Sequence, residues 1–425
     1  MTADTIYALS SGSPPAALAV VRISGPRANA ALQALAGRLP QPRRASLRRL
    51  SWNGEQLDDA LVLRFPGPAS ATGEDIAELH LHGGRAVVAA VLKALAEVEG
   101  LRVAEPGEFT RRAFENGRID LAEAEGLADL LQAETETQRR GALTLAGGAL
   151  GRLVEGWQAR VLTQAAALEA VLDFSDEGEV GEGLPPSWSE TVSALALEME
   201  TALARPAAER LRDGLRVVIA GPPNAGKSSL LNWLAGRQAA ITSAIAGTTR
   251  DIVEAPTAIG GTPFLLVDTA GLRDAYDEVE AIGVARARSN LDAADLILWL
   301  GEPEQAPARD RSILIQSKID LGLAPREADA RVSAETGEGM DALVALLIQR
   351  ARGLLPVEGE VALNARHRAA IAVAVEQLQE AETNPDLLIA AECLRQARVA
   401  LDAVTGRAGV EDMLDALFGR FCIGK

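Results

Sequence analysis

A nine-residue stretch of this sequence, Gly221–Ser229, has the residue types and spacing of a phosphate-binding loop. It reads GPPNAGKSS and fits the pattern G-x-x-x-x-G-K-[ST], between a short apolar run and an amphipathic stretch. In a strand–loop–helix setting, such glycines let successive backbone N–H groups turn toward nucleotide phosphates. Lys227 is then expected to reach the β- and γ-phosphate oxygens, and Ser228 to bind Mg²⁺. The sequence therefore predicts a nucleotide-binding protein.

Four further segments follow in the order that a GTPase requires. Gly247–Asp251 offers hydroxyls that could close onto Mg²⁺, and Asp268–Gly271 (DTAG) offers a carboxylate for Mg²⁺ and a backbone N–H for the γ-phosphate. Within Ser317–Asp320, the Asp320 carboxylate can accept from N1–H and N2–H₂ of guanine, a pair that adenine lacks. Lys318 would lay its aliphatic stem along the base. Val332–Gly339 would supply backbone N–H groups near guanine O6, so the predicted nucleotide is GTP.

Two residues set this site apart from Ras-type GTPases. Leu272 follows the DTAG segment, where Ras-like enzymes carry a glutamine that orients the attacking water. Asn224 lies in the phosphate loop, where a bound monovalent cation could supply the charge that an arginine finger provides elsewhere. The alternative for Asn224 is a local hydrogen bond within the turn.

The 425-residue length predicts two or three domains, and 48% hydrophobic with only 3% aromatic residues indicates a largely helical chain outside the nucleotide domain. A net charge of −17 is atypical of a protein that binds nucleic acid over its whole surface. It leaves a local patch or a partner as the route to such a ligand. The best local patch has five arginines and no acid, although a solvated loop and strand edge is the favoured interpretation: Arg38, Arg43, Arg44, Arg48 and Arg49.

The N-terminal residues lack the pattern of a signal peptide, and no run approaches the ~18–20 apolar residues of a membrane span. The two cysteines suggest neither a disulfide nor a metal site. We therefore expect a soluble cytoplasmic protein that does not enter a membrane.

The pattern of apolar residues predicts a multidomain chain. Residues 1–118 alternate short strands (Ala19–Ile23, Ala60–Arg64, Glu78–His82) with one clear helix, Ala86–Glu97, which indicates an α+β domain. Residues 119–213 and 353–425 have helical periodicity, and residues 214–352 form the α/β P-loop GTPase domain inserted between them. Inside that domain, residues 301–311 are too short and proline-rich for an ordinary crossover helix.

The last five residues, Phe421–Lys425, read FCIGK. Cys393, in a helical pattern, is expected to be an ordinary buried thiol. Cys422, by contrast, could be an exposed nucleophile or could approach an electrophilic cofactor, or it could simply lie in a mobile tail.

Taken together, these features resemble the MnmE (also called TrmE) family of tRNA-modification GTPases over the whole chain. The residues that carry the resemblance, besides the GTPase segments and the terminal CIGK, are Asp4–Ile6, Val21–Gly25, Phe65–Pro68, Thr72–Asp75, His82–Gly84, Pro106–Phe109, Arg112–Phe114 and Asp120–Ala124.

The resemblance implies that the N-terminal domain binds a tetrahydrofolate one-carbon derivative and mediates dimerisation. The family's folate contacts map onto Arg22, Glu78, Arg118 and Lys425. Glu78 suits the amino-pyrimidine edge of the pterin and Arg22 suits carboxylates. Two departures from the family pattern are Arg118, where a lysine is usual, and residues 13–17, which replace a Gly-rich segment.

The resemblance also completes the GTPase site. It implies a K⁺ site from Asn224, Ser243, Ile245 and Thr248, a Mg²⁺ site from Ser228 and Thr249, and Glu280 as the residue that orients water. Ser317 replaces an asparagine that braces the base in the family. The residues expected to contact GTP are Asn224, Ala225, Gly226, Lys227, Ser228, Ser229, Ser243, Ala244, Ile245, Ala246, Gly247, Thr248, Thr249, Asp268, Thr269, Ala270, Gly271, Ser317, Lys318, Asp320, Ser333, Ala334 and Glu335.

The function implied by the resemblance is addition of a carboxymethylaminomethyl group at C5 of the wobble uridine of certain tRNAs, coupled to GTP hydrolysis. A homodimer would act in a heterotetramer with an MnmG-type flavoprotein that carries FAD and uses NADH. Glu280 and Cys422 are the candidate catalytic residues. The alternative is a regulatory GTPase of ribosome assembly whose outer domains are binding modules.

Overall fold

The computed structural model describes residues 4–174, 184–236, 254–268, 288–322, 324–407, 411–419 and 421–425. The chain divides into two compact units, Met1–Ala128 with Asp402–Lys425, and Asp129–Leu401. The later segment of the chain thus belongs to the same unit as its first 128 residues.

The first unit is built around a sheet with the strand order β3-β4-β5-β2-β1-β6. Its elements in chain order are β1 Thr5–Leu9, β2 Leu18–Ser24, α1 Ala28–Ala36, β3 Ser46–Trp52, β4 Glu55–Phe65, β5 Ile76–His82, α2 Arg85–Ala96, β6 Leu101–Val103 and α3 Glu108–Glu115. The sequence predicts the α+β class and one clear helix, Ala86–Glu97, which corresponds to α2. The structure contains α1 and α3 as well, two helices that the sequence pattern did not reveal.

Alternation of side chains gives this sheet two different faces. α1 and α2 pack on one face, over buried residues such as Val21, Leu79 and Leu81. Glu78 and His80 alternate with those leucines and lie on the opposite face. We call this opposite side the open face, and Arg22 joins it as the cross-strand partner of Glu78.

A network of ion pairs ties α3 to the rest of this unit. Arg112 is 5% exposed and donates to the carboxylates of Asp4 (2.9 Å), Glu74 (3.1 Å) and Glu108 (2.9 Å). Burial alone would raise the pKa of Asp4 and of Glu108, but hydrogen bonds from Arg102 and Arg112 outweigh it and lower both values. The carboxylates are therefore held in their charged form around a buried guanidinium.

Helices follow the first unit, as the periodicity predicts. They are α4 Leu121–Gln132, α5 Glu136–Ala146, α6 Ala149–Phe174, α7 Pro186–Leu203 and α8 Glu209–Arg212. Thr135 begins α5 with a capping box that Gln138 completes. Trp157 of α6 is buried, and its Nε1 donates to Glu198 of α7 at 2.9 Å. This hydrogen bond joins the two long helices.

The nucleotide domain has the strand order β12-β11-β10-β7-β9-β8, with β8 alone antiparallel among the described strands. Its elements are β7 Leu215–Ala220, α9 Lys227–Gly236, β8 Glu254–Ile259, β9 Thr262–Asp268, β10 Leu296–Trp299, β11 Ser312–Gln316, β12 Ala330–Arg331 and α10 Met340–Arg352. The central parallel strands are almost wholly buried, as expected for a sheet covered on both sides. Between β10 and β11 there is only a 3₁₀ turn, Pro303–Gln305, so the predicted loss of a crossover helix is confirmed.

The chain ends in α11 Ala365–Thr383, α12 Leu387–Thr405, α13 Glu411–Phe418 and the segment Phe421–Lys425, which we call the tail. α11 packs on α7, so helices from both sides of the nucleotide domain share one unit. The multidomain class, with an α/β domain inserted between helical segments, is confirmed. No helix among the described residues is long and apolar enough to cross a membrane.

Candidate functional site

The phosphate loop joins the end of β7 to the start of α9. Three of its residues adopt positive φ, namely Gly221 (147°), Asn224 (60°) and Gly226 (91°). Only glycine adopts the first of these values without strain, whereas asparagine tolerates the left-handed region better than most residues. Lys227 begins α9, and its Nζ donates to the carbonyls of Gly221 (3.1 Å) and Pro222 (2.8 Å). The ammonium group is thereby held inside the loop, where phosphate oxygens would lie.

The two predicted magnesium-side residues of the described chain lie in contact. Ser228 Oγ donates to Asp268 Oδ2 at 2.7 Å. Asp268 is 4% exposed at the end of β9, while Ser228 is exposed in the first turn of α9. A hydroxyl oxygen and a carboxylate oxygen at this separation are the ligand types that Mg²⁺ prefers. The residues present therefore fit this ion.

The base-recognition loop is fastened to the phosphate loop. Ser317 Oγ donates to the carbonyl of Ala225 at 2.6 Å, and Lys318 Nζ donates to the carbonyl of Asn224 at 2.8 Å. A methyl group added at Gly226 would lie 3.6 Å from Lys318 Cε, which shows how closely the lysine stem passes over the loop. Ser317 thus still braces the site, although it lacks the amide that is usual at this position. Its short side chain gave no sequence signal of this contact.

The third base-side segment lies beside the second. Val332 N donates to Gln316 O (2.8 Å), which places Ser333–Glu335 next to the loop that carries Asp320. Ser333 is buried and its Oγ accepts from Thr336 N at 3.2 Å, whereas Asp320 is exposed. The carboxylate of Asp320 is therefore accessible to a guanine.

Asn224 presents its side chain to solvent. Within the described part of the chain, only its carbonyl group takes part in a hydrogen bond. This geometry disfavours the alternative of a local turn hydrogen bond from its amide. Several predicted residues lie outside the described residues, namely Ser243, Ala244, Ile245, Ala246, Gly247, Thr248, Thr249, Thr269, Ala270, Gly271 and Glu280.

On the open face of the first unit, Arg22 and Glu78 form a close ion pair. Arg22 donates to Glu78 Oε1 from Nε (3.0 Å) and from Nη2 (2.9 Å). The guanidinium also lies over the ring of Phe109, 5.7 Å from its centroid. His80 Nε2 lies 3.3 Å from the other carboxylate oxygen of Glu78. Each oxygen of Glu78 thus has a polar neighbour that fixes its direction.

Neither His80 nor Phe109 was predicted from the sequence to lie in this site. His80 could have been found, because it lies two residues after Glu78 and strand alternation puts both on one face. Phe109 could not, since it lies on α3 and reaches Arg22 only through the tertiary fold. Arg118, the third candidate folate residue, is exposed, and its Cγ would lie 3.4 Å from a methyl group at Gly73. No hydrogen bond or ion pair between Arg118 and Glu78 is found among the described residues.

The tail packs against the first unit. Ile423 forms an isolated antiparallel bridge with Pro106. A Cβ at Gly424 would lie 2.2 Å from the carbonyl oxygen of Leu9, so only glycine fits there. Leu9 is the cross-strand partner of Val21, the neighbour of Arg22. Lys425 is therefore held on the same part of the sheet as the Arg22–Glu78 pair.

The two cysteines differ as predicted. Cys393 is buried, and burial is the main cause that raises its pKa, with Glu380 and Glu392 adding to the effect. Cys422 is exposed beside the buried Phe421. The thiol of Cys422 is thus accessible on an anchored segment. No group of histidine, cysteine, aspartate and glutamate that could hold a metal is found among the described residues.

Comparisons with known proteins agree with this architecture. A family model described as "GTP-binding protein TrmE N-terminus" matches residues 5–118, and one described as "MnmE helical domain" matches residues 121–422. The chain is 59% identical over 424 residues to the tRNA modification GTPase MnmE of Erythrobacter litoralis, covering 99% of this chain and 100% of that protein. It is 61% identical to the MnmE of Rhizorhabdus wittichii, covering 99% and 97%.

Among solved structures, the G domain of the T. maritima FeoB iron transporter is 24% identical and covers 32% of this chain and 98% of that one. The TM-score is 0.24, too low to support a conclusion.

Proposed function

The chain belongs to the MnmE family of tRNA modification GTPases, and from this premise we propose the specific reaction and the roles of its residues. It is a GTP-hydrolysing enzyme of that family. We propose that it adds a carboxymethylaminomethyl group at C5 of the wobble uridine of certain tRNAs, together with an MnmG-type flavoprotein that supplies FAD and uses NADH. A cytoplasmic location fits this substrate.

The observation that carries the GTPase part of the proposal is the contact of Ser228 with Asp268 at 2.7 Å beside the held ammonium of Lys227. In the proposed reaction Lys227 turns from the loop carbonyls to the phosphate oxygens, and Ser228 and Asp268 separate to hold magnesium, Ser228 directly with Thr249. Magnesium, when bound, neutralises the charge that develops on the phosphates. Asp320 selects guanine, while Ser317 and Lys318 hold the base loop against the phosphate loop.

Charge stabilisation and water orientation require two more groups. We propose that the free side chain of Asn224 contributes to a K⁺ site with Ser243, Ile245 and Thr248, in the position that an arginine finger would occupy. Leu272 has no polar atom with which to orient a water. Glu280 is proposed for that role. Apart from Asn224, these residues lie outside the described chain, so their roles rest on the family resemblance.

The one-carbon part of the proposal is supported by the open face. Glu78, at 16% side-chain exposure, keeps an edge open to an amino-pyrimidine, and Arg22 and His80 fix its direction. Both described side-chain hydrogen bonds of Arg22 go to Glu78. We therefore propose that the main role of Arg22 is to orient this carboxylate. Arg118 and Lys425 supply positive charge for the acidic end of a tetrahydrofolate.

A homodimer is proposed through the same domain. The open face bears leucines that are unusually exposed for a sheet, Leu47 at 66%, Leu61 at 46% and Leu18 at 60%. Leu47 and Leu61 are cross-strand partners, and Leu61 pairs in turn with His80. A second copy that covers these leucines would also close the site around Glu78.

The reaction is tested by nucleoside analysis of tRNA. In a strain that lacks the corresponding gene, expression of this chain should restore the carboxymethylaminomethyl wobble uridine. A chain that restores GTP hydrolysis but no wobble modification would refute the proposed reaction, while leaving the GTPase assignment intact.

The K⁺ site is tested by steady-state hydrolysis in KCl and in NaCl at equal ionic strength. We expect kcat in K⁺ to exceed that in Na⁺ by more than about ten-fold, the scale of one electrostatic stabiliser. Asn224→Ala should abolish the difference, and the control Asn384→Ala, a half-buried asparagine after α11, should keep it. Equal rates in both salts for the unchanged protein would contradict the site.

A further inference from the structure

Four arginines lie along one edge of the sheet of the first unit, and we call them the arginine edge: Arg43, Arg44, Arg48 and Arg64. β3 is the outermost strand, and Arg48 lies on it opposite Ala60 of β4. Arg43 N donates to Arg64 O at 2.8 Å, which places the approach to β3 beside the end of β4. Arg48 lies four residue steps after Arg44, so in extended chain the edge is roughly 13 Å long before side chains are counted.

The members of this edge have no carboxylate partner among the described residues. Two acids of the neighbouring strand β4 are already engaged, Asp59 with Arg49 at 3.3 Å and Asp58 with His82 at 2.7 Å. Elsewhere in the same unit, arginines such as Arg22 pair with acids. The cluster of unpaired positive charge is therefore local, within a chain whose net charge is −17.

The guanidinium groups of this edge differ in which donors face outward, and Arg48 Nη1 already donates to the carbonyl of Leu47 at 3.0 Å. The Nε atoms of Arg48 and Arg64 are buried and have no hydrogen-bond partner in the described chain. Arg43 is fixed differently, by a hydrogen bond to the carbonyl of Ala69 and by the ring of Phe65, whose centroid is 5.7 Å from its Cζ. Holding like charges together in this way costs stability unless an anion offsets it.

We propose that the arginine edge binds the sugar–phosphate backbone of the tRNA substrate. Arginine presents a planar set of donors that matches phosphate oxygens, and phosphate contacts set the position of a nucleic acid without reading its sequence. A linear row of unpaired guanidinium groups suits a regularly spaced polyanion better than a single small anion. This inference rests on the proposed function, which makes tRNA the substrate.

The strand register places the edge relative to the proposed one-carbon site. Arg64 is the cross-strand partner of Ala77, and its neighbour Leu63 is the partner of Glu78. Neighbouring strands are about 4.8 Å apart. Strand alternation directs the Arg64 side chain to the face that carries Ala77, opposite the open face of Glu78, so RNA phosphates at Arg64 would lie on the other side of the sheet from the proposed one-carbon site.

The test is the salt dependence of tRNA binding by the full chain, measured by fluorescence anisotropy with an unmodified tRNA transcript. The triple variant Arg44→Gln, Arg48→Gln, Arg64→Gln should lower the slope of log K against log[salt] by about two to three, since each lost phosphate contact contributes about 0.7–0.9. Between about 50 and 200 mM KCl, the unchanged protein should then lose about 20- to 40-fold more affinity than the variant.

The matched control is Arg49→Gln, on the same strand but paired with Asp59, which should leave the slope within about 0.5. Arg44→Gln alone removes an exposed side chain, and it should lower the slope by about 0.7–0.9 without affecting folding. GTP hydrolysis should be unchanged in every variant, because the edge lies outside all nucleotide-contacting segments.

Unchanged slopes in the triple variant and in Arg44→Gln would overturn the inference, as would failure of the unchanged protein to bind tRNA. If the triple variant bound tRNA normally but bound the flavoprotein partner more weakly, the edge would be a protein-binding surface. That result would also overturn the inference. In complementation, full wobble modification by the triple variant would refute the arginine edge alone. Failure of the unchanged chain to restore modification would instead refute the proposed function.

Discussion

Replacing Ser317 by alanine should weaken binding of guanine nucleotides, because it removes one of the two hydrogen bonds that join the base loop to the phosphate loop among the described residues. In the structure Ser317 Oγ donates to the carbonyl of Ala225 at 2.6 Å. Ala225 lies between two residues with positive φ, Asn224 and Gly226. The hydroxyl therefore holds a loop that has an unusual backbone conformation and must be ordered when phosphates bind.

The magnitude follows from the type of bond. A neutral, partly buried hydrogen bond contributes about 0.5–1.5 kcal/mol net. At 1.4 kcal/mol for each factor of ten, its loss corresponds to an increase in Kd of about 2- to 12-fold. GDP and GTP should be affected equally, since Ala225 precedes the residues that contact the γ-phosphate. Lys318, which donates to Asn224 O at 2.8 Å, keeps the loops joined and prevents a larger effect.

The assay is equilibrium binding of a fluorescent GDP analogue, with unlabelled GTP as competitor. Thr163→Ala is the matched control, because it removes a hydroxyl that also donates to a backbone carbonyl, that of Ala159 at 2.9 Å, on the exposed surface of α6. Ser317→Asn restores a donor and should bind close to the unchanged protein. An affinity of Ser317→Ala equal to that of Thr163→Ala would show that the hydrogen bond does not organise the site.

Four further outcomes are expected. Arg112→Ala should lower the free energy of unfolding of the first unit by about 3–5 kcal/mol, measured by urea denaturation, because it strands three carboxylates around a buried gap; a loss under about 1 kcal/mol would place the arginine among ordinary surface pairs. Asp4 and Glu108 have pKa values below their ordinary 3.8 and 4.5, so their contribution is complete above those values and is lost as the pH falls through the lowered pKa values. Thermal stability should therefore decrease as the pH falls below about 4.5 and less steeply in Arg112→Ala, whereas equal slopes would rule out this linkage. Glu280→Ala should slow GTP hydrolysis by on the order of 10²-fold with little change in GTP affinity, the scale of a positioned acid–base group, and an unaffected rate would leave it a surface charge. Cys422→Ser should abolish wobble-uridine modification at an unchanged GTPase rate, and normal modified-nucleoside content would exclude a chemical role for the thiol.

The sequence predicted the parts of this molecule that depend on local pattern. The phosphate loop, the buried strands of the nucleotide domain and the missing crossover helix all follow from short motifs and from proline positions. Such features are readable because glycine, proline and alternating apolar residues restrict the backbone directly.

What the sequence could not predict depends on tertiary contacts. α3 was missed because its polar composition suggests a surface loop, yet Arg112 is buried by the three carboxylates around it. Of the five arginines that the sequence grouped together, Arg49 proved to be paired, while Arg64, sixteen residues beyond Arg48, completes the edge in space. The domain limits at residues 118, 213 and 352 stay predictions.

The union of residues 1–128 with 402–425 in one compact unit has a consequence for biosynthesis. Leu121 and Ala124 share a buried cluster with Leu414, Phe418 and Phe421, so the earlier part of the unit emerges from the ribosome long before its apolar cover. At about 5–20 residues per second, the roughly 270 intervening residues take about 14 to 54 s to translate. For that interval the nascent chain exposes apolar surface that only later-translated residues can bury. We therefore expect chaperones to bind the nascent chain at this stage.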